Sequence, residues 1–323
     1  MADLRTKLYQ MFILGLNGGL YSSALSKGLG GIIFFTDDIL SVAQFKKLIE
    51  TVNEQSLIPP FLSIDQEGGR VERTQNIHNG KKYISAKFAF EKGEKFLKEQ
   101  TFEIAKELKD YGINLNFAPC IDVNTNPNNP IIGERAFSSI TEKVIEGEKI
   151  VSDIYRRNGI IPCVKHFPGH GDAQTDSHLS LPVINLGMRD MEQIHIKPFI
   201  SAVNSGIEMI MVAHLHCTCF DKESIPTSLS KKAISYLRKE LNYSGVLISD
   251  DMVMKGVADY GKVEACVMGI KAGLDMFIYR NSDEETINII EEVYNLALSD
   301  RDLQKNIEDS YNRIQLLKEK YIF

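Results

Sequence analysis

The sequence predicts an α/β protein whose eight parallel strands close into one (β/α)8 TIM barrel. Eight short, β-branched apolar runs alternate with longer stretches of helical periodicity, which is the pattern of repeated βαβ units. No long Pro-, Gly- or Ser-rich linker interrupts this alternation, so we expect residues 1–323 to form a single barrel domain. An open, doubly wound sheet is the main alternative.

The strands come from the apolar runs in chain order. They are predicted at residues 10–14, 31–35, 61–65, 114–119, 160–165, 209–214, 245–250 and 275–279. Helical periodicity predicts helices at 42–55, 96–111, 142–158, 229–241, 284–297 and 302–320. The segments 81–94 and 124–139 lack either pattern, and we expect them to be long loops that follow strands.

Composition excludes several classes of partner. Hydrophobic residues make up 43% and charged residues 25%, the balance of a globular domain with a sizeable core. A net charge of −6, with both signs interspersed, argues against nucleic acid and anionic membranes. The charged N-terminal segment lacks the apolar region of a signal peptide, and five cysteines, an odd number, fit reduced thiols. We therefore expect a cytoplasmic protein without membrane contact.

Charged residues close several predicted strands, and in barrels the chemistry lies at these carboxyl ends. One such residue is equally well explained as a cap or ion pair. Several around one mouth favour a site for a ligand with many hydroxyls. The residues concerned are Asp65, Lys165, His166, His214, His216, Asp250 and Asp251.

The loop after the fifth strand carries a further pair. Its glycines and Pro168 indicate a shaped loop rather than a helix. Asp176 and His178 are two residues apart, so in an extended loop both side chains lie on one side, and the carboxylate can orient the imidazole. This spacing predicts a general acid/base pair. For an isolated Asp-x-His, an Asx turn beside a surface histidine is the default alternative.

Together these segments resemble glycoside hydrolase family 3, and within it the single-domain bacterial β-N-acetylglucosaminidases of peptidoglycan recycling. The resemblance extends to about residue 280, with the motifs in the family's order. They are DQEGGRVER at 65–73, GER at 133–135, KHFPGHG at 165–171, DSH at 176–178 and SDDM at 249–252.

The resemblance implies roles for individual residues. Asp250 would be the nucleophile, and His178, held by Asp176, the acid/base. Strand alternation alone does not choose between Asp250 and Asp251, so this choice rests on the family. The resemblance also implies that the hydroxyls of the terminal sugar are held by Asp65, Arg73, Arg135, Lys165 and His166.

The activity implied is that of a β-N-acetylhexosaminidase. It would remove terminal, non-reducing β-linked N-acetylglucosamine with retention, through a covalent glycosyl-aspartate. The expected substrate is a muropeptide, and the expected enzyme is a monomer that uses no metal and no organic cofactor. Because the family delivers its histidine on a mobile loop, Gly169 and Gly171 are predicted to be hinge or shaping positions. The chain departs from the family pattern at 74–82 and at Ala173.

Other functions stay open at this stage. Within the family, phosphate could replace water as acceptor, or a glucoside could be the substrate. A metal-dependent barrel hydrolase is suggested by His214 and His216, although Lys165 precedes this pair, against the strand order of that group. A non-catalytic sugar-binding barrel is the last alternative, disfavoured by the joint presence of Asp176, His178 and Asp250.

Overall fold

The structure is a computed structural model that describes residues 2–78, 81–173 and 181–323. Its strands in chain order are β1 Phe12–Asn17, β2 Gly31–Phe34, β3 Phe61–Ile64, β4 Leu115–Asn116, β5 Ile161–Phe167, β6 Val183–Ile184, β7 Met209–Val212, β8 His216–Cys217, β9 Val246–Asp251 and β10 Met276–Asn281. Eight of them form a closed parallel barrel in the order β1-β10-β9-β7-β5-β4-β3-β2. The predicted barrel and all eight predicted strands are confirmed. The unpredicted β6 and β8 form a separate two-stranded ladder.

Helices cover the outside of the barrel. In chain order they are α1 Leu4–Tyr9, α2 Tyr21–Ser26, α3 Val42–Gln55, α4 Ala86–Glu91, α5 Glu94–Tyr111, α6 Thr141–Arg157, α7 Met188–Asp190, α8 Lys197–Asn204, α9 Lys231–Ser235, α10 Lys262–Ala272, α11 Glu284–Ala297 and α12 Arg301–Tyr321. The predictions for α3 and α11 are confirmed to the residue, and those for α5, α6 and α12 within two residues. Among the described residues, no helix is both long and apolar enough to cross a membrane.

Two sequence predictions need correction. The helix predicted at 229–241 starts at Lys231 and changes after α9 into the π-helical turn Tyr236–Glu240. The loop predicted at 81–94 contains α4, whose buried Ala89 packs it onto the core. By contrast, the predicted loop at 124–139 contains a single 3-10 turn, Gly133–Arg135, which carries a predicted site residue.

Side-chain caps explain the sharp helix starts. The side chains of Ser41, Asp283 and Asp300 each accept the N–H of the residue three positions ahead, at the starts of α3, α11 and α12. At the other end of α5, Gly112 adopts φ 91°, a conformation that other residues rarely adopt. These local signals fix where these four helices begin or end.

The strands are buried along most of their length because helices cover one face and the barrel interior the other. The closing pair, β1 with β10, places Phe12 opposite Phe277, with ring centroids 5.4 Å apart. Polar side chains are tolerated mainly where strands end. In β9, for example, an apolar run leads to Asp250 and Asp251. The packing thus concentrates the charged groups at the carboxyl rim.

One lysine is buried at the opposite rim. Lys318 of α12 donates to Gln10 Oε1 at 2.9 Å and to the carbonyl oxygen of Pro59 at 2.8 Å, next to the amino ends of β1 and β3. Burial lowers the pKa of Lys318 from 10.5 to about 7. Both partners are neutral acceptors, so they suit the amine as well as the ammonium.

This pKa predicts how stability changes with pH. Between about pH 7 and about pH 10 the unfolded chain binds a proton at Lys318 that the folded chain has released, so Lys318 makes the free energy of unfolding rise with pH. We expect Lys318→Met to remove a slope approaching about 1.4 kcal/mol per pH unit in this window. Urea unfolding of wild type and variant at several pH values measures this difference. Lys305→Met, on an exposed position of α12, is the control, and parallel pH profiles of wild type and K318M would contradict the assignment.

Candidate active site

A cavity of about 200 Å³ opens at the carboxyl ends of the barrel strands. The structure brings six of the eight predicted site residues together around it: Asp65, Arg73, Arg135, Lys165, His166 and Asp250. Asp65 directly follows β3, Lys165 and His166 belong to β5, and Asp250 lies in β9. The other two, Asp176 and His178, lie outside the described residues. Predicted site residues from different strands and loops therefore meet at one end of the barrel.

A buried chain of ion pairs forms one wall of the cavity. Lys165 Nζ lies 2.6 Å from Asp65 Oδ1 and 2.6 Å from Glu67 Oε1. Glu67 also accepts two hydrogen bonds from Arg135, from Nε at 3.0 Å and from Nη2 at 2.8 Å. Burial alone would raise the pKa of Glu67, but Arg135 and Lys165 outweigh it and hold that pKa far below its usual value. Glu67 is therefore the anion that fixes both cations.

Asp122 organises the next part of the wall. Its Oδ2 receives the Nδ1 proton of His166 at 2.6 Å, and its Oδ1 accepts the backbone N–H of His170 at 2.6 Å. This pattern assigns the proton of His166 to Nδ1, so that Nε2 can accept from Arg135 Nη2 at 3.3 Å. Burial would raise the pKa of Asp122, but its contact with His166 and the backbone N–H of His170 outweigh burial and hold that pKa well below its usual value.

Sequence reasoning missed both Glu67 and Asp122 as site residues. Glu67 lies two residues after Asp65 in the motif at 65–73, and this closeness to a predicted site residue could have indicated its role. Asp122 lies 44 positions before His166 and outside every predicted strand. Its role depends on tertiary packing that no local pattern shows.

The two neighbouring aspartates of β9 have different surroundings, although both line the cavity. Asp251 forms an ion pair with Arg280 and accepts the N–H of Val253. Among the described residues Asp250 has no ion pair, and its Oδ1 accepts the N–H of Asp251 at 2.8 Å. Burial would raise the pKa of Asp250, but the nearby imidazoles of His166 and His214, together with the N–H of Asp251, outweigh it and keep that pKa below its usual value. Asp250 is therefore an ionised carboxylate that is available to a ligand.

His214 holds the backbone of β9 at Asp250. Its Nδ1 pairs with Ser228 Oγ at 2.7 Å and its Nε2 donates to the carbonyl oxygen of Asp250 at 3.1 Å. Burial lowers the pKa of His214, which keeps the ring neutral. Since both nitrogens are already bonded, His214 fits a supporting role for β9 better than a place in a metal pair with His216.

Among the described residues, Cys120, Asp122 and His166 are the one group of three whose ligand-type atoms lie within 4.8 Å of one another. The Cys120 thiol donates to Asp122 at 3.2 Å, and burial together with Asp122 raises the pKa of this thiol strongly. A metal ligand would need the thiolate. The donor set therefore fits a hydrogen-bonded cluster better than a metal centre.

Two glycines shape the loop that leaves β5. Gly169 has φ 121°, and a Cβ there would lie 2.6 Å from the Cβ of His195. A Cβ on Gly171 would lie 1.8 Å from the carbonyl oxygen of Val123, closer than any real contact. Both positions therefore require glycine for close packing, which gives the shaping part of the sequence prediction a physical basis.

The unusual segment 74–82 turns away from the cavity in its described part. His78 is buried between Glu72, at 2.9 Å from Nδ1, and Glu107 of α5, at 2.7 Å from Nε2. Burial would lower the pKa of His78, but these two carboxylates outweigh it and raise the pKa to about 9. No described residue of 74–82 lines the cavity. The segment packs against α5 through an ion-paired histidine.

The fold and the cavity define a (β/α)8-barrel protein that presents charged groups to a polar ligand at the carboxyl ends of its strands. Residues 3–317 match the glycosyl hydrolase family 3 N-terminal domain. The chain therefore belongs to glycosyl hydrolase family 3, which confirms the resemblance of the sequence motifs.

Individual relatives are similar over most of this chain. Beta-hexosaminidase A of Pseudoalteromonas piscicida is 33% identical over 270 residues, 77% of this chain and 45% of that protein. A beta-hexosaminidase of Methylococcus capsulatus is 32% identical over 275 residues, 84% of this chain and 81% of that protein. A glycoside hydrolase family 3 beta-N-acetylglucosaminidase from Paenibacillus sp. superimposes with a TM-score of 0.92 at 29% identity, over 99% of this chain and 63% of that one. The chain thus spans less than two thirds of two of these three proteins.

The wall of ion pairs predicts a large effect of removing its central anion. In Glu67→Gln, Arg135 and Lys165 lose the shared charge that compensates their burial, so we expect about 3 kcal/mol lower stability. Urea unfolding measures this change. Glu99→Gln, which breaks the exposed pair of Lys95 and Glu99, is the matched control and should cost under about 0.5 kcal/mol. Equal losses of stability in the two variants would show that burial of the ion pairs around Glu67 does not determine their contribution to stability.

The loop geometry predicts that Gly171→Ala perturbs the site. The added methyl group cannot fit beside Val123, so the loop that leaves β5 must move. We expect both a lower melting temperature and a loss of ligand binding in the cavity. Gly187→Ala is the control because nothing lies within 4 Å of a Cβ built there. A Gly171→Ala protein with unchanged melting temperature and unchanged binding would refute the shaping role.

Proposed function

We propose that this chain is a retaining, exo-acting β-N-acetylglucosaminidase that hydrolyses terminal, non-reducing β-linked N-acetylglucosamine. The observation that carries the proposal is the ionised carboxylate of Asp250, which faces a cavity ringed by Arg73, Arg135 and Lys165. Such a ring of donors suits a polyhydroxylated ligand, and the carboxylate suits attack on an anomeric carbon. The family membership and the hexosaminidase names of the relatives support the same activity.

In the proposed mechanism Asp250 attacks the anomeric carbon and forms a glycosyl ester. His178, oriented by Asp176, protonates the leaving oxygen and then removes a proton from the incoming water. The two inversions give overall retention. Support for Asp250 comes from its contacts and its lowered pKa. Support for His178 and Asp176 comes from their sequence spacing and the family motif.

The donor inventory supports sugar binding by the charged wall. Lys165 has three N–H donors, and two of them are directed to Asp65 and Glu67. The third remains for a hydroxyl. Asp65 uses Oδ1 for Lys165 and is half-buried at the rim, so its other oxygen can accept from a sugar. We propose that Asp65, Arg73, Arg135, Lys165 and His166 hold the hydroxyls of the terminal residue.

The proposal extends to the biological setting. We propose a monomeric cytoplasmic enzyme in which residues 1–323 act as a single catalytic domain on muropeptides, without a metal or organic cofactor. The five cysteines are free thiols, as in a reducing compartment. Water is the proposed acceptor of the sugar. If a sugar 1-phosphate forms when phosphate is present, the acceptor is phosphate and the reaction is phosphorolysis.

Nitrophenol release tests the activity. With EDTA present, we expect hydrolysis of the aryl β-N-acetylglucosaminide and at least about 100-fold weaker hydrolysis of the aryl β-glucoside. A preference for the glucoside would overturn the specificity but keep the mechanism. Inactivity on both substrates, with activity restored by zinc, would replace the proposal by a metal-dependent hydrolase.

The two aspartates of β9 provide the test of the nucleophile. We expect Asp250→Asn to lower kcat by at least about 1,000-fold, since the covalent step needs the carboxylate. Asp251→Asn is the matched control next to it, and it should lower kcat far less because Asp251 is already paired with Arg280. Mass spectrometry after reaction with a slowly turned-over fluorinated sugar should find the label on Asp250. Label on Asp251 would show that Asp251, and not Asp250, is the nucleophile.

A further inference from the structure

A buried histidine beside the cavity, His170, has both ring nitrogens without a hydrogen-bond partner among the residues that the structure describes. The residue is 2% exposed and lines the same cavity as Asp250. None of the roles assigned above uses it. Its ring lies 6.0 Å from that of His166, measured between centroids.

Two other buried histidines near His170 have hydrogen bonds at both ring nitrogens. His166 bonds Asp122 through Nδ1 and Arg135 through Nε2. His214 bonds Ser228 through Nδ1 and the carbonyl oxygen of Asp250 through Nε2. His170 differs from both, although it shares their burial.

The backbone of His170 is held in place before any ligand binds. Its backbone N–H donates to Asp122 Oδ1 at 2.6 Å, and its carbonyl oxygen accepts from Asn129 Nδ2 at 2.8 Å. Gly169 and Gly171 on either side allow this close packing. The ring itself has no hydrogen bond to a described residue that a ligand would have to break.

A buried donor or acceptor without a partner destabilises a protein, whereas a phenylalanine of similar shape would not. Burial, together with the neighbouring His166 ring, lowers the pKa of His170, so the His170 ring is neutral and offers one donor and one acceptor. A hydroxyl can donate or accept, so it suits either tautomer. The missing partner is therefore best supplied by a ligand hydroxyl.

We infer that His170 is a further substrate-binding residue, whose imidazole hydrogen-bonds a hydroxyl of the sugar in the cavity. This inference rests on the proposed function, since it takes the ligand to be a sugar. It predicts an unusual combination of effects for one substitution. Replacing His170 by an apolar ring should weaken sugar binding while leaving the folded state at least as stable.

The test compares His170→Phe, His170→Asn and wild type. Calorimetry measures the Kd of N-acetylglucosamine and of its monodeoxy analogues, and thermal unfolding measures stability. We expect His170→Phe to keep or raise Tm and to bind N-acetylglucosamine about 10-fold or more weakly, with a similar loss in kcat/KM. For one deoxy analogue, which lacks the hydroxyl that His170 contacts, wild type and His170→Phe should bind equally. His170→Asn, which keeps a donor and an acceptor, should recover part of the affinity.

His195→Phe is the matched control. His195 is as buried as His170 and has an unpartnered Nδ1, but it does not line the cavity. Its replacement should leave the Kd of N-acetylglucosamine unchanged within about twofold. An equal loss in H195F would show that buried histidines here act through packing.

The outcomes separate the two proposals. Unchanged sugar affinity in His170→Phe, or a loss that is the same for every deoxy analogue, would overturn the inference while the enzyme keeps its proposed function. Wild-type protein that neither binds N-acetylglucosamine nor releases nitrophenol from its aryl glycoside would overturn the proposed function itself. If His170→Phe does not fold, the deoxy series is measured on His170→Asn, where a loss independent of the hydroxyl removed would equally overturn the inference.

Discussion

The buried chain Asp65–Lys165–Glu67–Arg135 is the constraint on which the rest of the site depends. Charges taken out of water must be compensated by close opposite charges, and here each cation has a carboxylate within hydrogen-bonding distance. The four residues come from the end of β3, the segment after it, β5 and the 3-10 turn Gly133–Arg135. The rim is therefore complete only when these distant segments have come together. The ion pairs therefore fix the relative positions of these segments at the carboxyl end of the barrel.

The same constraint distinguishes groups that hold the site together from groups that are left for a ligand. Glu67 and Asp122 use their oxygens on protein partners, and His214 uses both nitrogens on its neighbours. Asp250 and the ring of His170 are much less occupied, although they lie in the same wall. Because the groups that hold the site together have all their hydrogen bonds within the protein, they give the cavity a fixed shape. Asp250 and His170 are the groups with which a ligand can form new hydrogen bonds. This division follows from contacts alone and needs no knowledge of the ligand.

Sequence reasoning could predict what local periodicity and local chemistry determine. The eight strands and the bounds of α3 and α11 follow from apolar runs and helical periodicity. Of the six predicted residues that meet at one cavity, four follow from the rule that strand ends carry function, whereas Arg73 and Arg135 came from the family resemblance. The short helix α4 was missed because its six residues give no clear helical period, and β6 with β8 because two residues make no strand pattern. Asp122 and His170 could not be found from local signals, since burial and missing partners arise from packing across the barrel. The catalytic roles of Asp176 and His178 remain predictions.

The pairing of the first barrel strand with the last has a consequence for how the chain is made. Phe12 of β1 lies opposite Phe277 of β10, so one side of β1 has no partner until the ribosome has synthesised the chain as far as Phe277. At typical elongation rates of about 5–20 residues per second, this delay lasts from roughly a quarter of a minute to nearly a minute. During that time an apolar strand edge is open to other nascent chains. Barrel closure is therefore a late event in biogenesis, and the interval before it is when holding chaperones would matter most for the yield of folded protein.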